Sequence, residues 1–188
     1  HIPVMESVQE EGVWNWGNMQ AAIGNPIIVG DSLYLFCSGH MRNDDDWDGC
    51  ATTGLGIMRR DGFVSMDASG EGYLLTQPLT FDGDYFFVNA CAEALSVEIL
   101  DQDGKPIKGF SKEDCIALRS FDSTKIQVTW KGGRHLKSLA GKPVRVRFHL
   151  TGGQLYSFWV SPWQTGESRG YLGGGGPGLN PSGIDEPF

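Results

Sequence analysis

The sequence has little charge and no basic surplus. Charged residues make up 20% of the chain, and 15 Lys plus Arg face 23 Asp plus Glu, for a formal net charge of −8. A nucleic-acid binder neutralises phosphates with a basic stripe, so this balance argues against that class. It equally disfavours an anionic membrane surface. No apolar run approaches the roughly 20 residues that span a bilayer. Neither nucleic acid nor a membrane is therefore expected as a partner. None of the four cysteines, Cys37, Cys50, Cys91 and Cys115, belongs to a C-x-x-C pair, which excludes a zinc ribbon or a thioredoxin motif. There is no serine nucleophile elbow and no dinucleotide fingerprint. The glycine run at 173–178 lacks the Lys-Ser/Thr ending and the preceding strand of a phosphate loop.

Helical periodicity is missing too. What stands in its place is glycine, 27 of 188 residues, with 40% hydrophobic and 11% aromatic residues. That combination describes turn-rich β structure with a packed core. Apolar runs at 26–29 and 33–37 flank Gly30-Asp31 and read as a hairpin. A polar loop over 40–53 precedes a strand at 54–59. Further strands are expected at 71–76, 85–91 (apolar enough for burial on both faces), 95–100, 105–107 and 126–130. Leu136–Leu139 reads as one helical turn. Residues 144–150 alternate apolar and basic, Gly152-Gly153 reads as a turn, and 155–160 as the strand pairing back. The expected fold class is all-β: an antiparallel two-sheet β-sandwich, jelly-roll-like.

The junction Gly54-Leu55-Gly56-Ile57-Met58-Arg59-Arg60-Asp61-Gly62-Phe63-Val64-Ser65-Met66-Asp67-Ala68, with Val97-Glu98-Ile99-Leu100-Asp101, Gly104-Lys105-Pro106-Ile107, Val128-Thr129-Trp130-Lys131-Gly132-Gly133 and Leu155-Tyr156-Ser157-Phe158-Trp159, resembles bacterial proteins similar to family 32 glycoside hydrolases. That family, the invertase and inulinase group, has a five-bladed β-propeller followed by a β-sandwich. The resemblance covers roughly residues 25 to 180 as a string of loose motifs. It implies strands of a terminal propeller blade, or an N-terminal extension, over 1–60, a β-sandwich over 61–163 and a Gly/Pro-rich tail over 164–188. The family's two catalytic carboxylates lie on earlier blades. No residue here matches those motifs, so no catalytic residue is assigned and no cofactor is expected. The implied role is accessory: supporting a catalytic propeller and contacting carbohydrate. The implied partners are an oligo- or polysaccharide and the N-terminal propeller portion, and the implied compartment is periplasmic or extracellular. The rival from another class is a stand-alone carbohydrate-binding module.

The loop His40-Met41-Arg42-Asn43-Asp44-Asp45-Asp46-Trp47-Asp48 is the most suggestive segment for sugar contact. Aromatic rings stack on sugar C–H faces, while His, Arg and Asp hydrogen-bond hydroxyls. His40, Arg42, Asp46 and Trp47 are its candidate contacts, and Trp163, beyond the last strand, is a candidate platform. The bland reading of the loop is a solvated acidic turn. Asp44, Asp46 and Asp48 alternate as in a calcium loop, but the Gly and distal Glu that complete one are missing, so no metal is assigned. A run of Asp in one loop does not set the roughly 5–10 Å separation of glycosidase carboxylates.

Arg145, Arg147 and His149 share a strand face. They suit an acidic sugar or sulfate, or, more blandly, a wet sheet face with cross-strand partners such as Glu98. Trp130, Phe148, Phe158 and Trp159 fall in strand patterns and read as core. Cys37 and Cys91 read as small buried hydrophobes, with a Cys37–Cys50 bridge as the oxidised alternative. His1, with a second His from 40, 135 or 149, admits a copper polysaccharide monooxygenase as a further alternative.

Overall fold

A computed structural model describes residues 5–8, 10, 12–21, 26–40, 51–169 and 184–186. The protein is all-β and antiparallel, with two four-stranded sheets, neither closed into a barrel. The sheets belong to two compact units whose boundary falls between Phe63 and Val64.

The first unit holds β1 (Asn18–Ala21), β2 (Ile27–Val29), β3 (Ser32–His40) and β4 (Ala51–Arg59). β2 and β3 form the expected hairpin, with Ile27 opposite Tyr34, and Gly30 supplies the positive φ of 58° at its turn. β4 pairs with β3 along its whole length from Ser32 to His40, so β1 and β2 lie end to end along the other edge of β3. β1 comes from a stretch without readable period.

The second unit holds β5 (Met66–Leu75), β6 (Tyr85–Leu100), β7 (Leu118–Val128) and β8 (Arg145–Ser161), in spatial order β5-β8-β6-β7. The segments expected at 85–91 and 95–100 are one continuous strand. So are 144–150 and 155–160. The expected turn at Gly152-Gly153 is a correction: β8 runs through both glycines while keeping its register with β6, Ala92 opposite Gly153 and Ala94 opposite Thr151. The glycines bend the strand instead of reversing it. Their φ values are 48° and 152°, and the neighbouring strands are irregular at the same level. Ser120 on β7 has φ 46°, and the β5 register shifts between Ala68 and Glu71. A crease thus crosses all four strands. Across it the core side of β6 changes parity, from Ala90 and Ala92 to Leu95, Val97 and Ile99, all buried.

The core lies on one side of this sheet. Phe86, Val97, Val146 and Phe148 of the strands pack in one cluster with Phe110, Cys115, Trp130, Leu136 and Leu139. Those last residues come from 101–117 and 129–144, which form the second, sandwich-like layer. A bridge from Leu100 to Pro106 ties that layer to β6, and one from Cys115 to Trp130 joins its two segments. Asp101 begins a turn closed by Gly104 N–H donating to its carbonyl at 3.1 Å. Leu136–Leu139 is a single 3-10 turn with both leucines buried. Trp130 and Phe148 are core as expected. Phe158 and Trp159 are half-buried, and Trp159 stacks on Phe87 at 5.6 Å between ring centroids. After β8 the chain folds back on the sheet: Trp159 Nε1 donates to the Gly166 carbonyl at 2.9 Å and Ser161 Oγ to that of Glu167 at 2.6 Å.

Candidate functional site

The cross-strand registers of the second unit assemble a trough on the sheet face opposite the core. One row runs Glu71 (β5), Thr151 (β8), Ala94 (β6), Arg119 (β7). The next runs Tyr73, His149, Ser96, and the third Leu75, Arg147, Glu98. Thr151, Ala94 and Ser96 are small, so the middle strands leave a hollow between larger side chains at the sheet edges. Its volume is about 430 Å³. On the β5 side stands Tyr73, 72% exposed although it sits within a strand. On the β7 side stand Arg119 and, from the preceding segment, Lys112.

Local chemistry holds these walls in place. Ser111 donates to Asp114 Oδ2 through its hydroxyl at 2.9 Å and its backbone N–H at 3.2 Å, pinning the turn that carries Lys112. The Ser111 hydroxyl and then its amide hold the Asp114 carboxyl below the usual carboxylate range. Beneath Tyr73, the Arg147 guanidinium carbon lies 5.7 Å from the ring centroid, within cation–π range. Arg147 Nη1 donates to Glu98 Oε1 at 2.9 Å, and His149 Nε2 lies 2.9 Å from the same oxygen. Glu98 is only 5% exposed, and a carboxylate that buried needs such donors. The polar stripe on β8 and its Glu98 partner were readable from sequence. Arg145 is spent differently, its Nε donating to the Thr76 carbonyl at 3.1 Å.

Tyr73, Lys112 and Arg119 were not found from sequence. They come from segments that are not neighbours in the chain and meet only because β8 inserts between β5 and β6. An exposed aromatic in strand pattern was the one available signal.

Of the sugar-contact candidates singled out earlier, His40 and Trp163 are among the described residues, one in each unit. His40 ends β3 opposite Ala51, in the first unit, and its carbonyl accepts from Gly17 N–H at 2.7 Å. Trp163 follows β8 in the second unit, half-buried, with the Arg169 guanidinium carbon 5.5 Å from its ring centroid. Arg169 in turn pairs with Asp82 at 3.1 Å. Arg42, Asp46 and Trp47 lie outside the described residues, as do Asp44, Asp48, His1 and Cys50. Cys37, Cys91 and Cys115 are free thiols; Cys37 and Cys115 are buried, whereas Cys91 is half-buried. Among the described residues, no group of three or more His, Cys, Asp or Glu is placed to hold a metal ion.

The first unit carries a second feature of interest. β4 puts Gly54 and Gly56 on its covered side, where the Trp14 indole lies against Gly54 and Gly39, and Met5 against Gly56. Leu55 and Ile57 of β4 point the other way. They lie beside Phe36 and Tyr34, with Ile27 beyond. Ile57 is 60% exposed, and Ile27, Phe36 and Leu55 are all more than two-fifths exposed. β4 therefore turns Gly54 and Gly56 inward, with Met58 on the same side opposite buried Leu33, and leaves Leu55 and Ile57 on the face where a one-layer sheet usually puts polar residues.

No family model, curated protein or solved structure matches the chain.

Proposed function

We propose that this chain is the accessory C-terminal β region of a glycoside-hydrolase-like protein. Its first unit is the end of a β-propeller, docked through Ile27, Tyr34, Phe36, Leu55 and Ile57 onto the apolar sheet of a neighbouring blade. Its second unit buttresses that propeller and contacts carbohydrate. Catalysis belongs to carboxylates of the propeller, and the working compartment is the periplasm or the cell exterior.

The exposed apolar face of β2, β3 and β4 carries this reading. A row of Ile, Phe and Leu with no partner among the described residues is costly to keep in water, at roughly 25 cal/mol for each Å² of apolar surface, and large exposed patches mark contact sites. The occupant is another sheet because the face is a regular antiparallel surface with side chains in cross-strand rows, the shape that stacked sheets interdigitate. The propeller-junction motifs in Gly54–Ala68 point the same way.

The test is the mass and composition of the native protein, purified without additions. A longer polypeptide, or a second chain bound, is expected. Replacing Ile57 by Lys should disrupt that association while leaving the second unit's melting unchanged. A stable 20.5 kDa monomer overturns the reading. It would favour the stand-alone carbohydrate-binding module instead, which the open trough beside Tyr73 also suits.

A further inference from the structure

We propose that the trough over β5-β8-β6-β7 binds an anionic saccharide. Arg119 and Lys112 hold a carboxylate or sulfate, and Tyr73 takes the sugar ring. The proposal deepens the carbohydrate contact inferred above and rests on that part of it.

Charge is the first observation. The chain carries −8 overall, yet the trough sets two fixed cations, Lys112 and Arg119, against one carboxylate, Glu71. Glu71 and Arg119 occupy opposite ends of the same four-strand row, so they cannot neutralise each other across it. Neither Lys112 nor Arg119 makes a salt bridge among the described residues. The nearby Glu98 carboxylate is already engaged by Arg147 and His149. Glu113, next to Lys112 in the chain, feels its charge without pairing with it, so two cations on the β7 side are left without a salt bridge, and a guanidinium there offers paired donors to a planar anion.

Shape is the second. The small side chains of Ala94, Ser96 and Thr151 make a floor between the cations and Tyr73. An inorganic-anion site would have no use for an exposed ring across the hollow. A pyranose does, since its C–H face packs on an aromatic face while its hydroxyls reach Ser96, Thr151 and His149. Arg147 beneath Tyr73 limits the ring's freedom before any ligand arrives.

The full chain is titrated in low salt with an oligogalacturonate, a sulfated oligosaccharide, a neutral maltooligosaccharide and sodium sulfate. Binding is followed by calorimetry and by amide shifts of residues 71–73, 94–96, 112, 119 and 149–151. An acidic oligosaccharide should bind with shifts confined to the trough, and weaken as salt rises. Arg119→Gln and Lys112→Gln, both at exposed positions, should each weaken it about tenfold, the usual worth of one charge-assisted contact. Tyr73→Ala should weaken every saccharide bound there.

Preference for the neutral oligosaccharide overturns the anionic class, with the accessory reading left standing. Sulfate bound as tightly as any saccharide means an adventitious ion only, and overturns the proposal. So does absence of binding at millimolar ligand, or binding that the three substitutions leave unchanged. A native monomer that still binds the acidic oligosaccharide in the trough sinks the propeller association and leaves this site intact.

Discussion

Arg147 on β8 and Glu98 on β6 are direct cross-strand partners, joined by a 2.9 Å hydrogen bond from Nη1 to Oε1. The Glu98 side chain is 6% exposed and that of Arg147 29%, so the carboxylate is desolvated and the guanidinium only partly. Removing the carboxylate strands Arg147 and His149 on a sheet face without their acceptor. Glu98→Ala is expected to cost about 2–3 kcal/mol in urea unfolding, below the upper range for fully buried pairs because Arg147 keeps some water. Glu98→Gln keeps a neutral acceptor and should cost about 1 kcal/mol. Equal losses for the two variants would mean that charge, not the loss of an acceptor, sets the cost.

The crease makes its own prediction. Gly153 sits at φ 152° on β8, where an added Cβ would run into the Cys91 carbonyl on β6. Gly153→Ala should destabilise the second unit by about 3 kcal/mol through combined strain and overlap. Gly104→Ala is the control. Its φ is 81°, but no atom lies within 4 Å of the added carbon, so it should cost only about 1 kcal/mol. A Gly153→Ala variant as stable as wild type, measured by thermal melting, would falsify the continuous path of β8.

In the first unit, Trp14 lies against Gly39 and Gly54. Trp14 is already 38% exposed, so Gly54→Val, which leaves no room for the indole, should displace it with a small red shift in Trp fluorescence and a loss of about 1 kcal/mol, mostly from overpacking. Leu55→Ala, one residue away but on the open face, should cost under about 0.5 kcal/mol in this chain by itself.

The pH dependence follows from Cys115. Burial pushes its thiol up, although the Val97 N–H donating to Sγ at 3.3 Å acts the other way. A raised folded-state pKa means that the unfolded chain releases this proton first. The contribution is fully present below the unfolded thiol value of about 8.5 and is lost as pH rises from there through the folded value. Stability should therefore decline in the alkaline range, and Cys115→Ala should decline less steeply. Parallel stability profiles for the two proteins from pH 7 to 10 would refute this.

Much of the fold was legible because β structure writes itself in local alternation. The hairpin around Gly30, the buried run at Phe86–Ala90 and the helical turn at Leu136 needed only neighbouring residues to be read. Gly152-Gly153 misled because paired glycines usually reverse a chain; whether they reverse it or bend it depends on Ala92 and Ala94 across the sheet, which no local window contains. The trough shows the same limit. The β8 stripe and its Glu98 partner could be anticipated from charge and period. Tyr73, Lys112 and Arg119 could not, because strand order, and not chain order, makes them neighbours.

The position of β8 also governs the order of assembly. It is the last strand of its sheet to leave the ribosome, yet it lies between β5 and β6 and pairs with both. Until β8 has emerged, β5 has no partner strand and β6 only β7. The nascent chain therefore carries a β6–β7 hairpin with one open edge, and the loop that β8 must close to reach β5 spans most of the unit. Such long-range closure is slow, so this unit depends, until β8 has docked, on keeping the inner edge of β6 from pairing with another chain.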